Sequence, residues 1–224
     1  VYKRTFSICE DQLTRAARVC FHGVESSILL WINDIFIGYS EDSFTPAEFD
    51  VSKHLHLGEN SLIAVVPRYC SGSWLEDQDF WRFSGIFRDV ELILLPESHI
   101  KDVKIVCKLD SEYKRAKIRA DIAFAGVLAS SIRLTLTDAD QTTWQAVCVE
   151  TKDGQECGVL LTVDKPLLWS AEQPNLYLLS VELLDEANNV IHTVEQHVGI
   201  REFVIKNKIA YINGKRIVFR GVNR

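Results

Sequence analysis

At 224 residues, with 47% hydrophobic and 25% charged side chains, the chain can bury one large core or two ordinary ones without staples. A net charge of −6, with basic residues scattered and no cationic stripe, argues against nucleic acid as a partner. No run approaches the roughly 18 apolar residues that span a bilayer, and the opening "VYKRTFSICEDQL" lacks the charged-then-apolar order of a leader, so no membrane partner is expected.

Short β-branched and aromatic runs dominate the first third: "KRTFSIC", "ARVCFHG", "SSILLWIN", "IFIGYS", "NSLIAVVPRY" and "FRDVELILL", each bounded by polar turns. Asn33-Asp34 joins two of them as a hairpin, because both residue types tolerate positive φ. Gly58-Glu59-Asn60 reads as a further turn, and Pro96-Glu97-Ser98 ends the set. Seven more strand-like runs follow, from "IKDVKIVCKL" to "NVIHTVEQHVG", the count and rhythm of a small β-sandwich. In "AKIRADIAF" the apolar Ile118, Ala120, Ile122 and Phe124 point one way and Lys117, Arg119 and Asp121 the other. Asn188-Asn189 marks a late hairpin and Asn213-Gly214 another, inside "REFVIKNKIAYINGKRIVFRGVNR". No amphipathic helix of three turns is predicted. The expected class is all-β.

Six cysteines show no CxxC spacing. Cys9, Cys20, Cys107 and Cys148 stand in strand-like surroundings, where a free thiol behaves as a small hydrophobe. Reduced structural thiols fit a cytoplasmic chain. His54 and His56 alternate as strand neighbours do, but nothing nearby supplies a third metal ligand, so two surface histidines are expected. Phosphate-loop, GxSxG and HExxH patterns are absent. There is no methionine, even at position 1, and the chain stops at Arg224 directly after a strand-like run, which suggests a piece of something longer.

The chemistry concentrates in "SWLEDQDFWRFSGIFRDV", residues 73–90. Glu76, Asp77 and Asp79 repel one another unless cations or donors offset them, and Trp74, Phe80 and Trp81 surround them. Arg68, Arg82 and Arg88 could supply forked donors, giving a loop knitted by Arg–Asp pairs and pinned by buried tryptophans. A bound cation or sugar hydroxyls could do the same. Asp77 and Asp79 cannot serve alone as a glycosidase pair, because that mechanism needs carboxyls about 5 Å or more apart on opposite sides of the bond.

These residues resemble glycoside hydrolase family 2, and within it the large bacterial β-galactosidases. The likeness runs from "LWINDIFIGYSEDSFTPAEFDVSKHLHLGENSLIAVVPRYCSGSWLEDQDFWRFSGIFRDVELI" through "PLLWSAEQPNLYLLSVEL" to "VGIREFVIKNKIAYINGKRIVFRGVNR". It implies an incomplete jelly-roll sugar-binding domain over 1–96, an immunoglobulin-like sandwich over 97–200, and a β-hairpin at 201–224 that enters a (β/α)8 barrel at Asn223 and Arg224. By the same resemblance Asp79 contacts the galactose 6-hydroxyl region and ligates sodium. Trp74, Glu76, Asp77, Trp81, Arg82 and Arg88 are then loop supports. The family's catalytic glutamates and magnesium ligands would lie beyond Arg224, so no catalytic residue, no hydrolysis and ligand contacts limited to Asp79 are expected of this piece, with no cofactor held by it alone. A homo-oligomer or a two-subunit enzyme acting on β-galactosides such as lactose is implied for the parent. The alternative is a stand-alone carbohydrate-binding module of two sandwiches, which fold alone cannot separate.

Overall fold

The turns that the sequence marks are where the backbone enters the left-handed region. Asn33 and Asp34 have φ of 50° and 63°, and Asn213 and Gly214 have φ of 48° and 74°, the combination that lets a two-residue loop follow the natural twist of its strands. The structure, a computed structural model, describes residues 1–76, 81–126, 131–149 and 156–221, with the backbone alone at 76, 148, 149 and 156. The chain divides into two compact units, Val1–Glu97 and Ser98–Arg224. Among the described residues no helix is long and apolar enough to cross a membrane.

The first unit contains β1 (Tyr2–Ile8), the single turn α1 (Glu10–Leu13), β2 (Ala16–Phe21), β3 (Val24–Glu25), β4 (Ser27–Ile32), β5 (Ile35–Glu41), β6 (Ala47–Asp50) and β7 (Gly58–Val65). It continues with the turn α2 (Ser73–Glu76), then β8 (Gly85–Ile86) and β9 (Val90–Leu95). One sheet has the order β1-β7-β4-β5, a second β6-β2-β9, and β3 pairs with β8 alone. The inward residues of β2 and β4 alternate along each strand, and Ala17, Val19, Phe21, Ile28, Leu30 and Ile32 make the core with Phe49 and Ala64. Phe21 meets Phe49 edge-on, with ring centroids 6.2 Å apart, an arrangement that suits the aromatic quadrupole.

The second unit holds β10 (His99–Leu109), β11 (Arg115–Ala125), β12 (Ser131–Thr137), β13 (Thr143–Val149), β14 (Glu156–Asp164), β15 (Tyr177–Leu184) and β16 (Val190–Val198). Its sheets run β10-β11-β14 and β13-β12-β15-β16, all antiparallel. Three strands face four, as in an immunoglobulin-like sandwich. The alternation read in β11 is real: Ile118, Ala120 and Ile122 are buried while Lys117 and Arg119 are exposed. Facing residues Leu134, Leu136, Leu179, Val181 and Leu183 complete an apolar core, each large side chain contributing about 1.5–3 kcal/mol.

Three further strands, β17 (Phe203–Lys206), β18 (Ile209–Ile212) and β19 (Lys215–Arg216), form a small sheet of their own. It is tied within the second unit by side chains. Asn213 Nδ2 donates to the Trp169 carbonyl at 3.0 Å, its Oδ1 accepts from Glu202 N–H at 2.9 Å, and Tyr113 Oη donates to Glu202 at 2.8 Å. The Arg201 guanidinium lies 4.7 Å from the centre of the Trp169 ring. A 960 Å³ cleft opens beside this sheet, lined by Trp169, Asn213 and Phe219 among others.

Several sequence expectations need correction. Gly58-Glu59-Asn60 opens β7 opposite Ile8, Ser7 and Phe6 instead of forming a turn. The turn chemistry of Asn60 is spent through its buried side chain, which donates to the His56 and Gly58 carbonyls and accepts from Asn33. His54 ends a 3-10 turn over Ser52–His54, so the two histidines are not strand neighbours. Cys9 is exposed between β1 and α1, whereas Cys20 and Cys157 are buried; all three, with Cys70 and Cys107, are free thiols. The short strands β3, β6 and β8 carried no periodic signal and were not anticipated.

Candidate functional site

The acidic segment follows β7 through Arg68, Tyr69 and Cys70, and the chain next enters a strand at β8, which pairs with β3. Its first foot is a network of hydroxyls and backbone. Cys70 N–H donates to Ser73 Oγ at 2.9 Å, Ser73 N–H to the Cys70 carbonyl at 3.2 Å, and Leu75 N–H to the Gly72 carbonyl at 2.9 Å. These bonds close α2, too short to persist by propensity alone. Ser71 Oγ donates to Glu41 Oε2 at 2.6 Å, and Tyr39 Oη donates to Glu41 Oε1. Hydrogen bonds from Ser71 and Tyr39, helped by the Gly72 and Ser71 N–H groups, hold the Glu41 carboxyl below its ordinary range. Burial, with the Glu41 bond next, pushes the Tyr39 phenol up. Glu41 is therefore a carboxylate that grips the Ser71-Gly72 turn.

Arg82 joins this foot to the other. Its Nη1 donates to the Arg68 carbonyl at 2.9 Å and its Nη2 to the Ser73 carbonyl at 3.1 Å. The same guanidinium lies 5.0 Å from the centre of the Tyr69 ring, and Arg68 sits 5.6 Å from that ring. A planar fork can satisfy two carbonyls and stack at once, which an ammonium cannot. Beyond it, Phe83 and Ser84 N–H donate to Glu25 Oε2 at 2.8 and 2.9 Å. Glu25 is only 3% exposed.

The predicted site residues fall unevenly on this frame. Asp77, Asp79, Asn223, Arg224 and the Glu76 side chain lie outside the described residues. Trp74 and Trp81 are 85% and 78% exposed, so the tryptophans do not pin the loop by burial; with Leu75 and Phe83 they leave apolar surface facing solvent. Arg88 donates to the His22 and Phe44 carbonyls at 3.1 and 2.9 Å and lies over the Phe87 ring. Among the described residues no group of three His, Cys, Asp or Glu could hold a metal ion. Glu25, Tyr39, Glu41 and Ser73 were missed. Glu25, Tyr39 and Glu41 lie in strands with no spacing that links them to the acidic segment, and Ser73 has no charge or aromatic ring to mark it.

Two family descriptions match. Residues 1–96 fit the sugar binding domain of glycosyl hydrolases family 2, and residues 98–201 fit a second domain of glycosyl hydrolases family 2. The chain belongs to glycosyl hydrolase family 2. It is 40% identical over 223 residues to a β-galactosidase of Clostridium acetobutylicum, covering 100% of this chain and 25% of that protein. It is 42% identical over 232 residues to a β-galactosidase of Priestia megaterium, of which it covers 22%. The chain thus spans about a quarter of the curated relatives it matches. Among solved structures, an FMN-binding β-glucuronidase from Facaelibacterium prausnitzii L2-6 superposes with a TM-score of 0.87 at 22% identity, over 100% of this chain and 36% of that one. A Bifidobacterium dentium β-glucuronidase gives 0.85 at 22%, over 98% and 42%. At that identity the likeness is one of fold.

Proposed function

We propose that this chain is the scaffold and a partial sugar subsite of a β-galactosidase that hydrolyses terminal β-D-galactosides such as lactose with retention. The observation that supports it most is the whole-chain identity of about two-fifths to β-galactosidases. Retaining hydrolysis needs one carboxylic acid to protonate the leaving oxygen and a second carboxylate to attack the sugar. On this reading both belong to a part of the protein outside these 224 residues, and the chain alone does not hydrolyse.

What the chain's own residues contribute is binding and orientation. Asp79 accepts hydrogen bonds from sugar hydroxyls, and as a hard oxygen donor it supplies one ligand to a sodium ion whose other ligands come from elsewhere in the protein. Magnesium belongs with the catalytic part. The exposed Trp74 and Trp81 offer faces that exclude water beside the sugar or seat against the rest of the enzyme. Glu41, Arg82 and Ser73 keep the segment from searching other conformations, so that less ordering entropy is lost on binding. Assembly as a homo-oligomer or as a two-subunit enzyme belongs to the same proposal. So does a cytoplasmic location, which the free thiols favour.

The experiment is hydrolysis of a chromogenic β-galactoside by the full-length protein and by its Asp79→Asn variant. The wild type is expected to release the chromophore. The variant is expected to lose about 10- to 100-fold in kcat/KM, the worth of a charged hydrogen bond. No galactosidase activity in the full-length protein, or an unaffected variant, would contradict the reading.

A further inference from the structure

Two edge strands of the second unit meet at a pair of histidines. β10 is the outer strand of one sheet and β16 of the other, and an edge strand leaves backbone groups unpaired. Each carries a bulge at this point. Lys101 is the extra residue on β10, between Ile100 and Asp102, and Ile191 is the extra residue on β16, opposite Leu183 and Leu184. A bulge bends its strand and re-aims the neighbouring side chain. His192, next to its bulge, accepts the backbone N–H of Ile100 on Nδ1 at 3.2 Å. The donor is a peptide amide, so Nδ1 must offer a lone pair and the ring proton sits on Nε2. His99, 5% exposed, stands edge-on to the His192 ring, with centroids 6.4 Å apart. Ile100 is itself a core residue, so the bond ties the start of β10 to the opposite sheet beside the core.

We propose that His192 is a pH-sensitive latch on one side of the second sandwich: the neutral ring holds the start of β10 against β16, and the protonated ring releases it. An imidazolium carries N–H on both nitrogens and has no acceptor. Protonation at Nδ1 therefore removes the bond to Ile100, and it sets two like charges against each other when His99 is charged as well. Burial, and then the neighbouring His99, holds the His192 ring below its ordinary 6.5. The unfolded chain takes up the proton more readily than the folded one, so the latch is complete above 6.5 and is lost as pH falls from there through the lower, folded value. The other charged groups nearby are engaged or turned to solvent. Glu182 on β15 is held by Arg133 at 2.6 Å, and Asp185 in the next turn accepts from Asn189 at 2.8 and 3.0 Å. Glu97, Lys101, Asp102, Glu186, Glu195 and His197 are exposed, and β11 presents Phe124 and Ala125 opposite Ile100 and His99. Ser98 is the first residue of the second unit, so the strand released is the one by which the chain enters it.

Amide hydrogen exchange of the 224-residue chain at about pH 7.5 and about pH 5 tests this, each rate divided by that of an unstructured peptide at the same pH. The Ile100 amide is expected to lose about tenfold in protection at the lower pH, while the amides of β11 keep theirs. His192→Asn puts an acceptor oxygen close to the place of Nδ1 without a titrating ring, and should protect Ile100 equally at both pH values. His99→Gln should keep the switch and move its midpoint closer to 6.5. No loss at Ile100, an equal loss along β11, or a pH dependence that survives His192→Asn overturns the proposal. Should the asparagine variant fail to fold, the ring C–H signals of His192 in the unaltered chain decide. Their titration midpoint must coincide with the loss of Ile100 protection, and two separate midpoints would remove His192 as the latch.

Discussion

The two units treat buried polarity differently. Around the second unit's core of Ile118, Leu134, Leu179 and their neighbours, the buried polar residues described are Ser98, His99 and Ser131. The first unit has a smaller apolar cluster, yet it buries Glu25, Ser26, Ser27, Ser43, Asn60 and Ser73. Glu25 and Ser73 lie at the feet of the acidic segment, and Asn60 fixes the entry to β7. An apolar interior stabilises most per residue but holds a loop loosely, because it is non-directional. Directional bonds to backbone specify a loop at some cost in stability. Under the proposed function, the second unit would serve as the scaffold and the first as the unit that presents the acidic segment.

This contrast can be broken most forcefully in the second core. Leu134→Ala should cost about 2–5 kcal/mol, seen as an early denaturant transition reported by Trp144 and Trp169, with chymotryptic cleavage near Trp74 unchanged. Cleavage that rises in step would join what the contrast separates. Asn60→Ala removes the partner of the His56 and Gly58 carbonyls and of one of the two Asn33 Nδ2 hydrogen bonds and should cost about 1–3 kcal/mol, lowering the midpoint of the first unit. Arg82→Ala is expected to change stability by less than about 1 kcal/mol but to speed proteolysis between Trp74 and Trp81 several-fold. An unaltered cleavage rate would mean that the fork to Ser73 and Arg68 does not hold the segment.

The smallest effect is a pH dependence at Glu41. Its folded pKa lies below the ordinary 4.5, so its contribution is complete above that value and is lost as pH falls through the lower, folded one. Amide signals of Ser71 and Gly72 should therefore hold steady at pH 5 and shift only below about 4.5. Glu41→Gln should abolish the shift. A change centred above pH 5 would assign the titration to another group.

Much of the architecture was legible because it depends on local rules. A period of two in β11 announced a half-buried strand, and Asn33-Asp34 and Asn213-Gly214 announced hairpins through the φ they tolerate. Legibility failed where side chains act across sequence distance. Asn60 looked like part of a turn since its amide does a turn's work from inside a strand. Glu25 could not be linked to Phe83, 58 positions away, because pairing of β3 with β8 has no periodic signature. The tryptophans looked like core by type, yet Trp74 and Trp81 face solvent; residue type reports cost of exposure, and function can accept that cost. The acids at 77 and 79 stood out as a charge cluster, while the anchors that hold their segment did not.

The most direct measurement is a titration of the 224-residue chain with galactose or lactose, followed by the fluorescence of the exposed Trp74 and Trp81. A segment that supplies only part of a sugar pocket should give no saturable change at millimolar concentrations. A saturable change would mean that these residues form a complete sugar site by themselves, contradicting the partial-subsite account and favouring a self-sufficient binding module.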